Sequence, residues 1–321
     1  MTNGSQRGFS DNRGMVGVAT HALSRLAFIS AVSVLTALTF NAAFAQDQAA
    51  LLARGSYLVN TVAACGNCHT PRLPDATPTP GMFLAGGYRF DILPGLAYAK
   101  NITPDKDTGL GSWTDEQIIR AIREGKTKEG NIIGPPMPVE YYNKISDDDA
   151  KAMVAYLRSV PPIRNAVPES KYRIPLHTEP PAKGFAAPPK TNKVAYGEYL
   201  ATMAHCVECH TPAAGPKRDY EKQFAAGGWR FSILNRVSFS RNITSDPETG
   251  IGAWTDDEVK RALIQGIDKN GKKLVPPMPH TYFKDLTPED LDAIVAYVRT
   301  FPPIKNLIAP NPPLDAYLLQ K

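Results

Sequence analysis

The sequence predicts an all-α fold in two tandem domains, each mostly helical with long loops. Two observations carry that expectation. The chain repeats itself at an offset of 141 residues. Each repeat holds the same helix-start signals and apolar stripes at helical spacing, separated by Gly- and Pro-rich stretches. A period this long specifies two domains and not a solenoid.

Taken in order, residues 1–45 have the form of an export signal. Arg7, Arg13 and Arg25 precede an apolar run from Leu26 to Phe44, and Ala43-Phe44-Ala45 supplies a cleavage site before Gln46. Left uncleaved, the run is near spanning length and serves as a single membrane anchor. Residues 46–165 are the first expected domain, 166–192 a Pro-rich linker, and 193–321 the second domain. In each domain a first helix, from about Leu51 or Lys193, runs into a cysteine motif. A loop with short extended pieces follows, through Gly86-Gly87-Tyr88-Arg89-Phe90 in the first unit. Thr114-x-x-Gln117 and Thr255-x-x-Glu258 are capping boxes that open a second helix, and Gly125 and Gly266 are placed to stop it. Ser146 and Thr287 cap a last helix. Its stripe is Ala150, Met153, Val154 and Leu157 in one unit, and Leu291, Ile294, Val295 and Val298 in the other. Pro161-Pro162 and Pro302-Pro303 end it. Gly55, Tyr57 and Tyr156, with Gly197, Tyr199 and Tyr297, suit a close crossing of first and last helices. The linker prolines make a stiff strand, and its apolar side chains, like those of the C-terminal tail, are expected to wrap the domain surfaces.

All four cysteines fall in two pentapeptides, Cys65-Gly66-Asn67-Cys68-His69 and Cys206-Val207-Glu208-Cys209-His210. Cys-x-x-Cys-His is the attachment signature of c-type haem: the thiols form thioethers to the vinyl groups and the histidine reaches the iron. A zinc site is disfavoured because the pairs lie 141 residues apart, each with its own histidine. A disulfide framework is disfavoured in so long a chain with so few cysteines. The motif therefore predicts two covalently bound haem c groups, held by Cys65, Cys68 and His69, and by Cys206, Cys209 and His210.

The sixth iron ligand follows from the repeat. Beyond the signal segment only Met137 and Met278 recur at matching positions. Each lies 68 residues after its histidine, and each sits in Pro-Pro-Met-Pro. Proline fixes φ and removes donors, so this frame holds a thioether in place; Met153, on a helix stripe, reads as core filler. Trp113 and Trp254 either donate an indole N–H to a propionate or pack in the core. Asn101 and Asn242 either hold turns or bond a propionate. Arg89 and Arg230 either neutralise propionates or, the commoner case, are solvated side chains.

The formal net charge is +5, and +3 without residues 1–45. Four haem propionates bring the assembled protein close to neutral, so nucleic-acid binding is not expected. Gly-Gly-x-Arg-Phe, Asn-Ile-Thr-x-Asp-x-x-Thr-Gly-x-Gly-x-Trp-Thr-Asp and the Pro-Pro-Met-Pro loop resemble the class I cytochrome c domains in cytochrome subunits of periplasmic alcohol and gluconate dehydrogenases. The resemblance covers nearly all of residues 50–165 and 193–306. It implies His69/Met137 and His210/Met278 ligation, and electron transfer from a periplasmic dehydrogenase as donor towards a terminal oxidase or another cytochrome. Those subunits typically carry three such domains, and this chain has two. The reading is a periplasmic electron carrier, not an enzyme. Its rival is a dihaem peroxidase, or an oxidase of a small inorganic donor, with one displaceable axial ligand; two intact methionine loops argue against that.

Overall fold

Each half of the chain opens with a helix that is followed by its cysteine motif. The computed structural model describes residues 1–4, 45–74, 77–92, 95–214, 217–233 and 236–313. The apolar run of the expected export signal lies outside those residues, as does the end of the C-terminal tail. Residues 51–57 are α-helical and pass into a π-helical turn, Leu58–Val62; together they are α1. Then come α2 (Cys65–His69), β1 (Arg89–Ile92), β2 (Gly95–Tyr98), α3 (Asp115–Glu124), α4 (Val139–Tyr142) and α5 (Asp147–Ser159). After β3 (Lys171–Tyr172) the pattern recurs: α6 (Lys193–Met203), α7 (Cys206–His210), β4 (Ala213–Ala214), β5 (Lys217–Arg218), β6 (Arg230–Ile233) and β7 (Arg236–Phe239). It closes with α8 (Asp256–Gln265), α9 (His280–Phe283) and α10 (Pro288–Val298).

The expected helix boundaries have direct physical causes. Thr114 and Thr255 each accept the N3 amide while the N3 side chain accepts the cap amide. Gly125 and Gly266 end these helices at φ +69° and +64°, in the left-handed region open to glycine. Ser146 and Thr287 cap α5 and α10, and the predicted stripes are buried, Ala150 and Met153 almost completely.

The all-α expectation needs correction. Helix dominates, but each half also carries a β-hairpin. β1 pairs antiparallel with β2, Arg89 opposite Tyr98 and Ile92 opposite Gly95; β6 pairs with β7 in the same register, Arg230 opposite Phe239. The segments are too short for a stable helix and rich in residues that suit a pleated surface, such as Phe90, Ile92 and Tyr98. The linker adds to the first sheet: β3 pairs with β2, and Ser170 Oγ accepts the Tyr98 amide at 3.0 Å. Further on, Tyr172 donates to the Pro135 carbonyl at 2.8 Å, and the Phe185 carbonyl accepts the Asp147 amide. The tail does the equivalent in the second half, where the Asn311 amide pairs with both backbone groups of Phe239. The linker, and the tail as far as residue 313, thus lie along their domains, held by hydrogen bonds; residues 316–319 of the tail lie outside the described residues.

The close crossing of first and last helices is present twice. A Cβ on Gly55 would stand 1.9 Å from the Ala152 carbonyl oxygen, and one on Gly197 1.9 Å from that of Ala293. The two halves share one apolar cluster, from Leu58, Ile118 and Met153 to Leu200, Leu291 and Ile294. Across the seam, α4 packs on α6 and α9 packs on α1. The segment after each methionine loop thereby rests on the helix that leads to the other half's cysteine motif.

Candidate functional site

A break precedes each cysteine motif. The expectation was a first helix running straight into it. Instead Ala64 and His205 adopt left-handed conformations, φ 48° and 44°, at a cost of about 1–2 kcal/mol each for a residue with a Cβ. Their carbonyls accept the Asn67 and Glu208 amides at 2.8 and 3.1 Å. The motif is therefore a separate helical turn set against the helix end, with both cysteines and the histidine on it. No disulfide joins the four cysteines in this structure. Burial pushes Cys65 up to about 12, Cys68 up to about 11 and Cys206 up to about 12, and raises Cys209 further. The Cys68 thiolate adds to the rise of Cys209, after burial and Glu208.

The histidines are oriented by backbone. His69 Nδ1 lies 2.7 Å from the Lys100 carbonyl, and His210 Nδ1 lies 2.7 Å from the Arg241 carbonyl. A carbonyl only accepts, so Nδ1 carries the proton and Nε2 keeps its lone pair, the form that binds a metal. Burial lowers both imidazoles from their ordinary value and keeps them neutral.

The Gly-Gly pair makes that bond reachable. Gly86 and Gly227 donate to the His69 and His210 carbonyls at 2.7 and 2.6 Å. At Gly86, φ is +75°, and a Cβ would stand 2.5 Å from the Asn101 nitrogen. Only glycine lets the loop pass this close to residues 99–101 and bring the Lys100 carbonyl onto the imidazole. Thr70 and Thr211 tie the same loops down, accepting the Leu84 and Ala225 amides at 3.2 and 3.0 Å.

Asn101 is fully used as a turn anchor. It donates to Thr108 Oγ1 at 3.0 Å and to the Ile163 carbonyl at 2.7 Å, and accepts from the Thr103 amide and hydroxyl. Asn242 repeats the pattern with Thr249, Ile304 and Thr244. Of the two alternatives for these asparagines, the turn is the one the structure contains. Trp113 and Trp254 pack on the apolar cluster, and their carbonyls accept from Arg158 and Arg299. Arg89 is exposed beside Asp91.

Met137 and Met278 are half-buried against the same apolar cluster as Cys65 and Cys206. Their loops are pinned from outside, by Tyr172 on the Pro135 carbonyl and by Ser238 on the Pro276 carbonyl at 3.1 Å. Beside Cys206 an apolar cleft is lined by Ala204, Leu263, Phe283 and Leu286, with Val62 from the other half. Paired free thiols, an imidazole with a free Nε2, a thioether and apolar walls form a donor set that suits a haem attached through two sulfurs.

Three contributors were not visible in residue types. The Lys100 and Arg241 carbonyls are backbone, so nothing in the sequence marks them except the repeat. Thr70 and Thr211 follow the motif histidine in both halves, a signal that the repeat did carry. Tyr57 and Tyr199 were assigned to packing, and their hydroxyls do more.

Comparison with known proteins agrees with this geometry. The cytochrome c family profile matches residues 52–161 and 194–302. The chain belongs to the cytochrome c family, whose domains hold haem c covalently and transfer electrons. It is 31% identical to the fructose dehydrogenase cytochrome subunit of Gluconobacter japonicus, over 78% of this chain and 52% of that protein. It is 30% identical to the gluconate 2-dehydrogenase cytochrome c subunit of Pantoea cypripedii, over 83% of this chain and 63% of that one. With a diheme cytochrome c-type protein of Cereibacter sphaeroides the identity is 27%, over 75% of this chain and 83% of that protein. The chain thus spans between half and two thirds of these two dehydrogenase subunits.

Proposed function

We propose that the chain is a dihaem electron carrier that takes single electrons from a dehydrogenase and passes them towards a terminal oxidase or another cytochrome. Cys65 and Cys68 hold one haem, with His69 and Met137 as axial ligands; Cys206 and Cys209 hold the other, with His210 and Met278. The bound haem supplies a one-electron change at iron, with methionine ligation favouring a high potential. The chain's own work is to fix the imidazole through Nδ1, present a thioether from a pinned loop, and exclude water with the apolar cluster. The single observation that carries the reading is the doubled constellation: the same carbonyl-held histidine, thiol pair and methionine loop in both halves of one unit.

A dehydrogenase donor is supported by the relatives, several of which are named as cytochrome subunits of fructose, alcohol and gluconate dehydrogenases. A periplasmic location is supported by the signal-like residues 1–45. No helix among the described residues is long and apolar enough to cross a membrane; membrane association, where it occurs, runs through the partner or an uncleaved signal. The domains are taken as 46–165 and 193–321 with the linker between them. The test is to express the protein in an exporting host, weigh it, and mix it with candidate dehydrogenases. Two haem masses per chain and fast reduction by a sugar or alcohol dehydrogenase are expected. One or no haem, or peroxide turnover with no dehydrogenase reduction, overturns the reading.

A further inference from the structure

The two halves are joined by a reciprocal pair of contacts that packing of apolar faces alone does not require. Tyr57, on α1, reaches the start of α10 in the other half: its hydroxyl donates to Asp290 Oδ2 at 2.8 Å and accepts the Thr287 amide at 3.3 Å. Tyr199, on α6, reaches the start of α5 in the same way. It donates to Asp149 Oδ2 at 2.7 Å and accepts the Ser146 amide at 3.1 Å. Each phenol thus occupies a helix N-terminus of the opposite half, on the cap residue's amide and the N3 carboxylate. This is the self-complementary logic of a two-fold dimer interface, written into one chain.

The carboxylates are committed to the seam. Asp149 is 6% exposed and Asp290 1%. A carboxylate buried to this degree needs partners, and each has a cation as well as the phenol. Arg54 forks onto Asp149 with both contacts at 2.8 Å, and Lys190 Nζ stands 3.2 Å from Asp290. An N3 acid serving only its own helix has no need to leave the surface. The tyrosines also lie on the right elements. Tyr57 and Tyr199 sit on the helices against whose ends the cysteine motifs are set, across the turns at Ala64 and His205, so a contact fixing either hydroxyl constrains the placement of a cysteine motif.

We propose that the Tyr57–Asp290 and Tyr199–Asp149 pairs are positioning contacts that hold the two cysteine motifs at one separation, and that electron exchange between the two haems depends on them. The inference rests on the dihaem reading. Apolar packing holds the halves together without these bonds, but it is non-directional; the paired phenols define the register in which the halves meet. A change of separation between two redox centres alters their exchange rate without altering either centre's ligands.

The test uses the full-length haem-loaded protein and the double variant Tyr57→Phe/Tyr199→Phe, which keeps both rings and removes both hydroxyls. Haem content is weighed, the ferric and ferrous spectra recorded, and exchange between the haems followed after pulsed reduction. Pulsed electron paramagnetic resonance on the oxidised protein reads the separation. The expected result is two haems with unaltered spectra, exchange slowed several-fold, and a broadened distance distribution. Equal exchange rates and an unaltered distance in the double variant overturn the proposal. If that variant does not fold, the single Tyr57→Phe and Tyr199→Phe variants decide: each must slow exchange, and a parent-like rate in either overturns it. Fewer than two haems in the parent chain instead overturns the dihaem reading itself, a failure visible before any variant is made.

Discussion

His69 Nδ1 and the carbonyl oxygen of Lys100 stand 2.7 Å apart, and the equivalent pair, His210 and Arg241, repeats the distance. The acceptor is backbone, so its position depends on how closely the chain around Lys100 can approach the motif, and that depends on Gly86. Changing the Lys100 side chain therefore leaves the bond in place, whereas Gly86→Ala attacks it twice. The left-handed φ costs about 1–2 kcal/mol for a residue with a Cβ, and the new Cβ meets the Asn101 nitrogen at 2.5 Å. The expected outcome is a chain that attaches haem at the second site and poorly at the first, read by the mass of the purified protein. Gly227→Ala is expected to give the reverse.

Met137→Leu and Met278→Leu separate ligation from packing. Leucine matches methionine closely in volume, so the fold loses less than about 1.5 kcal/mol at each position. If the sulfurs are axial ligands, each single variant removes the methionine–iron charge-transfer band of one ferric haem and opens that site to carbon monoxide after reduction. The double variant loses the whole band. Unaltered spectra in all three remove these methionines from the site.

Two acid-sensitive turns flank the sites. Asp105 accepts from the Thr108 amide and hydroxyl, both at 2.7 Å, and from the Asp107 amide. Asp246 does the same with Thr249 and Glu248. The threonine bonds hold both carboxyls below the ordinary carboxylate value. A lowered folded-state value means that the stabilisation is complete above the unfolded value, near 3.8, and is lost as pH falls through the folded one. Thermal midpoints are therefore expected to fall as pH is taken from about 5 to about 3. The double variant Asp105→Asn/Asp246→Asn keeps the acceptors but cannot titrate, and its acid limb is expected to be shallower.

What the sequence disclosed, and what it withheld, follows from the range of each interaction. Thr114 with Gln117, and Ser146 with Asp149, are three residues apart, so the caps were readable as local patterns. The stripe from Ala150 to Leu157 was readable because helical spacing repeats within a few turns. The repeat made Met137 and Met278 stand out from other methionines. The hairpin at Arg89–Ile92 was less visible because four residues carry too little periodicity to separate strand from loop. The turn at Ala64 and His205 was invisible, since neither residue type announces a left-handed conformation. Tyr57 and Asp290 lie 233 residues apart. Nothing local to either predicts the bond, although the repeat does predict that one such bond comes with a second.

The crossing of first and last helices gives the strongest steric prediction. A methyl group at Gly55 falls 1.9 Å from the Ala152 carbonyl oxygen and 2.9 Å from the Tyr156 Cβ, while one at Gly197 falls 1.9 Å from the Ala293 carbonyl oxygen. Both obstacles are helix backbone, which cannot turn aside as a side chain can. Relief requires the helices to separate, and that reopens the buried faces of α5 or α10. Glycine in a helix otherwise favours replacement, because alanine gains roughly 0.5–1 kcal/mol in propensity. Here the clash wins: overpacking costs about 1–3 kcal/mol where neighbours can give, so Gly55→Ala and Gly197→Ala are each expected to lose about 3 kcal/mol or more. Gly130→Ala is the control. Its φ is +87° but nothing lies within 4 Å of the added carbon, so it is expected to lose only about 1–2 kcal/mol, from backbone strain. Denaturant unfolding of the haem-loaded variants measures all three. A Gly55→Ala protein as stable as the Gly130→Ala control contradicts the crossing described for α1 and α5.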